Sequence, residues 1–225
     1  MHTFEIYEEY YDWIPLKSGS EAQTYMLEYG GEDAPNIYQP KESLIAKSYP
    51  EDASRTRKEY KRLLWMELNG VNGVPKPVTL YEEDQACLFY LALPGRDAET
   101  FFHSESSETI ISTLKQIGRY LSFFHKQSID GCPFVYSEEG LHTDLVFSHG
   151  DFSLSNIIVN ENYITGSVDV SGIGVRDRYF DLAVMTRDIE RHLGNKYLEH
   201  FYEGYRIKDD LDIEKLSRFM KITAN

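Results

Sequence analysis

From Thr3 to Leu93 apolar and polar residues alternate in short runs, the pattern of half-buried strands, with one helical interruption. Three runs, Thr3–Tyr11, Tyr25–Tyr29 and Ser43–Ser48, are rich in aromatic and β-branched residues and are separated by Gly, Pro, Asn and Asp. They predict a meander. Between Glu51 and Asn69 the period lengthens: Tyr60, Leu63, Leu64 and Leu68 recur at helical spacing and Gly70 supplies a stop, so one amphipathic helix is expected. Val78–Tyr81 and Ala86–Leu91 flank the polar turn Glu82-Glu83-Asp84-Gln85 and predict two more strands. Leu93-Pro94-Gly95 then punctuates the chain, which sets the expected boundary between a lobe of residues 1–93 and one of residues 94–225.

Beyond that point the pattern is mainly helical. Ile110, Ile111, Leu114, Ile117, Leu121 and Phe124 form one stripe, expected to bury a core helix. Leu145–Phe147 and Ile157–Val159 are short apolar runs on either side of the polar stretch Ser148–Asn156, and Tyr163–Val170 alternates like the return strand of a hairpin. Arg178–His192, Lys196–Tyr205 and Ile213–Met220 read as helices. The expected architecture is α+β, a small β-rich lobe with one helix followed by a larger, mostly helical lobe that holds a hairpin.

Composition narrows the function classes. With 225 residues, 41% apolar and 14% aromatic, the chain has ample material for a packed core. Its 23 basic against 37 acidic residues give a charge of −14, a field that repels nucleic acid and anionic membranes and attracts cations. The longest apolar run, Ala86–Leu93, is far shorter than a membrane span. The first residues lack the pattern of a secretory signal, and Cys87 and Cys132 form no metal-binding motif, so a cytoplasmic protein is expected. No nucleic-acid or membrane partner is expected, and the chain is expected to be a monomer or weak homodimer.

The chemistry concentrates in Ser148-His149-Gly150-Asp151-Phe152-Ser153-Leu154-Ser155-Asn156. His149, Asp151 and Asn156 keep the spacing of the kinase catalytic loop H-R-D-x-x-x-x-N, with Gly150 in place of Arg. In that loop the Asp accepts the proton of the acceptor hydroxyl and the Asn binds Mg²⁺. Asp169 ends the predicted return strand, so the hairpin brings it back beside Asn156, and two oxygen ligands at one point suit Mg²⁺. Gly172-Ile173-Gly174 imitates the start of a dinucleotide fingerprint, but the third glycine position is Asp177. No P-loop and no nucleophile elbow is present.

Here the sequence resembles the aminoglycoside phosphotransferase family, and within it the 3'-phosphotransferases, which have a reduced protein-kinase-like fold. The resemblance is carried by His149-Gly150-Asp151 through Asn156-Ile157, by Asp169, and by Gly174 through Ala183 and Thr186-Arg187-Asp188-Ile189. It extends upstream through Val74-Pro75-Lys76 and Ser18-Gly19-Ser20-Glu21-Ala22. It implies ATP (or GTP) with Mg²⁺ as cofactors and a small, cationic acceptor phosphorylated on a hydroxyl. It also implies Asp151 as the catalytic residue, Asn156 and Asp169 on the metal, and Lys47, Glu59, Ser20, Tyr90 and Ala92 around the nucleotide. Glu67 is the alternative partner for Lys47; Asp177 and Asp181 are read as structural braces and His149 as a packed loop residue.

Three departures bear on the acceptor. The helical insertion that the family usually carries before the catalytic loop is reduced to Ser128–Phe134 and a short run to Thr143, and a family acid in the helix after Asp181 is replaced by Arg191. The sequence given ends Lys221-Ile222-Thr223-Ala224-Asn225, where the family commonly has acidic and aromatic residues. A kinase for another hydroxylated metabolite or antibiotic, and a nucleotide-binding pseudokinase, are the alternative readings.

Overall fold

The computed structural model describes residues 11–16, 22–29, 43–82, 85–136 and 143–224. The chain divides into two compact units, Met1–Leu93 and Pro94–Asn225.

The first unit is an antiparallel sheet crossed by one helix. Its strands are β1 (Tyr11–Pro15), β2 (Gln23–Tyr29), β3 (Leu44–Ser48), β4 (Pro77–Tyr81) and β5 (Cys87–Leu91), in the order β1-β2-β3-β5-β4. Side chains alternate across β3. Leu44 and Ala46 join Tyr11, Leu27, Cys87 and Phe89 in an apolar cluster against which Trp13 and Tyr25 pack, Trp13 meeting both Phe89 and Tyr25 edge-on. Ile45 and Lys47 take the opposite face, toward helix α1 (Ala53–Leu68). Asp52 caps α1 by accepting the Ser54 N–H at 3.0 Å, and Gly70, at φ +68°, follows its end.

The expected apolar stripe of α1 is corrected. Leu64 and Leu68 are exposed, and the inner face is Thr56, Glu59, Arg62, Leu63 and Met66. A buried carboxylate and a buried guanidinium take places on that face that a purely apolar count would give to leucines. The Thr3–Tyr11 strand lies outside the described residues except for Tyr11, which opens β1.

In the second unit β6 (Arg96–Asp97), β8 (Ile157–Asn160) and β9 (Tyr163–Ser167) form a three-stranded sheet. Strands β7 (Leu145–Ser148) and β10 (Gly174–Asp177) form a separate antiparallel ribbon, with Ser148 opposite Gly174 and Leu145 opposite Asp177. The helices are α2 (Ala98–Phe102), α3 (Ser107–Phe124), α4 (Tyr179–His192), α5 (Leu198–Tyr205) and α6 (Ile213–Ile222). The expected stripe of α3 is buried at Ile110, Leu114, Ile117, Leu121 and Phe124 in one core with Leu182, Met185, Phe201 and Phe219. Strand β10 was not among the elements expected from the sequence, which assigned none to Gly174–Asp177. The Gly172-Ile173-Gly174 glycines serve close packing, since a Cβ on Gly174 would meet the Phe134 carbonyl oxygen at 2.4 Å.

Candidate active site

The loop between β7 and β8 is held by its alternate residues. His149, Phe152 and Leu154 are buried, while Asp151 and Ser155 are exposed. Phe152 stacks on Tyr120 with ring centroids 6.1 Å apart and meets the His149 ring edge-on. Burial of these side chains fixes the backbone that presents Asp151.

A single carboxylate clamps that backbone. Asp181, fully buried in the first turn of α4, accepts the His149 and Gly150 N–H groups at 2.8 Å each, and His125 Nε2 lies 2.9 Å from its Oδ2. Burial alone would raise its pKa, but the His125 hydrogen bond, the charges of His125 and His149 and the Gly150 N–H outweigh it and hold the group below the usual aspartate value. Gly150 has φ +81°, and a Cβ there would meet the Gly172 carbonyl oxygen at 2.2 Å, which is why glycine stands where the kinase pattern has arginine.

Asp151 and Asn156 are in direct contact: the Asn156 side-chain amide donates to the Asp151 carbonyl and to its Oδ2, both at 2.9 Å. The Asn156 Oδ1 is thereby turned away from Asp151. In the β8–β9 hairpin Ile157 pairs with Ser167, and the Val168 N–H donates to the Asn156 carbonyl at 2.9 Å, so Asp169 follows one residue beyond a contact with Asn156. Asp169 has left-handed backbone, φ +57°, an uncommon conformation for a residue with a side chain, and it accepts from Ser171 Oγ at 3.1 Å. Loss of water raises the Asp151 pKa, the His149 charge opposes this and the negative charge of Asp169 adds to it. Burial lowers the His149 pKa against the pull of Asp181, Asp151, Asp169 and the Val168 backbone. His149 acts as packing.

In the first unit Lys47 Nζ sits 3.0 Å from Glu59 Oε1 and Oε2, with only 5% and 1% of these residues exposed. The Tyr49 hydroxyl donates to Glu59 Oε2 at 3.2 Å. Glu67 is exposed, so the alternative partner for Lys47 is set aside. Tyr90 is a buried β5 residue, opposite Ile45 on one side and Pro77 on the other. The Ala92 N–H donates to the Ser43 carbonyl at 2.8 Å and the Leu91 N–H to the Lys76 carbonyl at 2.9 Å, so both donors are engaged within the unit. Ser20 lies outside the described residues.

Three contributors escaped sequence reasoning. His125 extends the apolar stripe of α3 by one residue, and its spacing from Leu121 was the available signal. Tyr205, whose hydroxyl lies 2.7 Å from His125 Nδ1, reads only as a core aromatic. Asp188 accepts the Leu154 N–H at 2.6 Å and braces the far side of the loop. Asp177, as expected, is structural: fully buried, it binds the Tyr179 N–H and lies 2.7 Å from Lys215 Nζ.

A clamped loop bearing an outward carboxylate, a neighbouring amide and a second carboxylate on a strained turn is an arrangement for phosphoryl transfer. The family model of the phosphotransferase enzyme family matches residues 12–144 and 138–216. The chain belongs to this family. Among curated phosphotransferases, the aminoglycoside 3'-phosphotransferase of Streptomyces fradiae is 26% identical, over 92% of this chain and 92% of its own length. That of Salmonella typhimurium is also 26% identical, over 78% of this chain and 76% of its own. Among solved structures, an aminoglycoside 3'-phosphotransferase of type VIII aligns with a TM-score of 0.73 at 21% identity, covering 93% of this chain and 92% of that one. An aminoglycoside phosphotransferase of Streptomyces rimosus in complex with ADP and streptomycin aligns at 0.70 with 17% identity, covering 92% and 90%. The phosphotransferase fold is thus the kinase-like α+β fold expected from the sequence. Among the described residues no helix is long and apolar enough to cross a membrane.

Proposed function

We propose that this phosphotransferase moves the γ-phosphate of ATP to a hydroxyl of an aminoglycoside. The observation that carries the reading is the Asp151 carboxylate, exposed on a loop whose backbone Asp181 pins at His149 and Gly150. Asp151 orients the acceptor hydroxyl and takes its proton. Asn156 and Asp169 present oxygen donors and would hold Mg²⁺, which when bound neutralises phosphate charge and offsets the repulsion that Asp169 exerts on Asp151. Lys47, fixed by Glu59, steadies the phosphates; Tyr90 and Ala92 lie at the strand end proposed to meet the adenine, where contacts must come from carbonyls or from residues beyond the two engaged N–H groups. Ser20 is assigned to the phosphates on sequence alone. Positioning and charge neutralisation supply most of the rate, with no covalent intermediate.

The aminoglycoside rests on the relatives' names and on the charge of −14, which suits a polycation. The short stretch before β7 and Arg191 favour a second reading, a kinase for another hydroxylated antibiotic or metabolite, because buried amines need carboxylate partners. The pseudokinase reading is disfavoured by the intact set Lys47, Asp151, Asn156 and Asp169. Purified protein, Mg²⁺ and ATP are incubated with aminoglycosides and with neutral hydroxylated compounds, following ADP release and phosphate on the product. The expected result is aminoglycoside phosphorylation that Asp151→Asn slows on the order of 10²–10⁴-fold. Turnover of neutral acceptors alone establishes the second reading; ATP binding with no turnover establishes a pseudokinase.

A further inference from the structure

Behind the candidate catalytic loop, at the other end of the β7–β10 ribbon, the second unit holds a cavity of about 440 Å³. Asp144 and Arg178 mark that end, and His149 follows the opposite end of β7. The four strand residues between them span roughly 13 Å. The cavity is therefore separate from the group of Asp151, Asn156 and Asp169.

Its walls are Val146, Tyr179, Tyr205 and Ile207, all buried, and its rim is charged. Lys126 and Arg206 make no ion pair among the described residues. Arg178 lies 3.6 Å from Asp144 and beside the Tyr205 hydroxyl, and its buried Nε has no hydrogen-bond partner among the described residues. Asp144 is already engaged by Lys215 at 3.1 Å, which leaves Asp210 as the remaining rim carboxylate. In a chain of charge −14, a cationic rim over an aromatic floor suits a compact molecule with an apolar ring and one anionic group.

The floor is wired to the loop. The Arg178 guanidinium lies beside the Tyr205 hydroxyl. That hydroxyl is 2.7 Å from His125 Nδ1, and His125 Nε2 is 2.9 Å from Asp181, which holds the His149 and Gly150 N–H groups. The two ring nitrogens of His125 thus bridge the Tyr205 hydroxyl and the Asp181 carboxylate, giving a continuous chain from Arg178 to the loop backbone.

We propose that this cavity is a second ligand site, for a small aromatic carboxylate, and that its occupancy adjusts the catalytic loop through Tyr205, His125 and Asp181. The carboxylate meets Arg178 Nε and the Arg206 and Lys126 rim while the ring lies on Tyr179 and Ile207. Drawing Arg178 toward the ligand changes its hold on Tyr205, and the change reaches the clamp on Gly150. The coupling half of this proposal rests on the kinase reading; the binding half does not.

The full chain is titrated with benzoate by calorimetry, and acceptor phosphorylation is then measured with and without saturating benzoate. Expected is saturable binding of one benzoate, weakened about tenfold or more by Arg178→Gln and by Arg206→Gln, as loss of a charge-assisted hydrogen bond predicts. Arg206 is exposed at the end of α5, so its variant folds even if that of Arg178 does not. Also expected is a change in kcat of about twofold or more with an unchanged KM for ATP. Tyr205→Phe should bind benzoate yet lose the rate effect. Unsaturable binding, wild-type affinity in both arginine variants, competition with ATP or acceptor, or a rate effect that survives in Tyr205→Phe overturns the proposal. A protein without turnover that still binds benzoate through Arg206 sinks the kinase reading and the coupling, and leaves the site standing.

Discussion

At the residue scale two buried carboxylates do different work, and each makes a distinct prediction. Glu59 neutralises the Lys47 ammonium inside the first unit at 3.0 Å, with Tyr49 as a second donor. Glu59→Ala removes a 3.0 Å counter-charge from a buried cation and is expected to cost about 3–5 kcal/mol in urea unfolding, while raising the KM for ATP. The Lys47→Ala, Glu59→Ala double variant should lose less than the sum of the singles, because each single exposes the partner's desolvation cost. Asp181 makes a pH prediction. Its pKa is lower folded than unfolded, so its contribution is present above the unfolded value and is lost as pH falls through the folded one. The stability gap between wild type and Asp181→Asn, measured by denaturant unfolding, should be constant near neutrality and close below about pH 4. Asp151, Asn156 and Asp169 were legible because their spacing is itself the signal. His125 and Tyr205 were not, since a histidine or tyrosine on an apolar stripe looks the same whether it packs or relays.

At the element scale helix α3 owes its place to glycine as much as to its apolar stripe. A Cβ on Gly118 would meet the Phe201 carbonyl oxygen at 2.3 Å, and one on Gly204 would meet the Lys115 carbonyl oxygen at 2.2 Å. The backbones of α3 and α5 therefore touch, and the same crossing sets Tyr205 against His125. Gly118→Ala and Gly204→Ala are each expected to destabilise by about 1–3 kcal/mol, since backbone cannot yield as a side chain does. Each kcal/mol lowers the melting midpoint by about 2–4 °C for a chain of this size, and Ser112→Ala, on the exposed side of α3, should leave it unchanged. Strands and helices with strong periodicity were readable. Strand β10 was not, because its Gly174 start and Arg176-Asp177 end carry no alternation and its pairing with β7 is fixed by tertiary contact. The α1 stripe was misjudged for a related reason: its inner face is chosen by the Lys47–Glu59 pair, and hydrophobicity alone points to Leu64 and Leu68, which are exposed.

At the scale of the whole molecule the β-rich first part and helical second part were legible, because the hydrophobic period changes from two to 3.6 along the chain. The acceptor was not, because specificity depends on which carboxylates face it and not on how many the chain carries. Net charge nevertheless makes a prediction that bears on the acceptor. A surface of −14 concentrates cations and speeds their encounter, and salt screens that attraction over about 10 Å at 0.1 M. If a polycationic aminoglycoside is the acceptor, its kcat/KM should fall steeply between about 0.05 and 0.5 M salt while kcat changes little. A neutral hydroxylated compound accepted by the same Asp151 should show no such slope. Because MgATP carries negative charge, its own kcat/KM should be flat or rise with salt, opposite in sign to the aminoglycoside. Equal slopes for the cationic and neutral acceptors would mean that the acidic surface serves solubility and leaves acceptor choice to contacts inside the site.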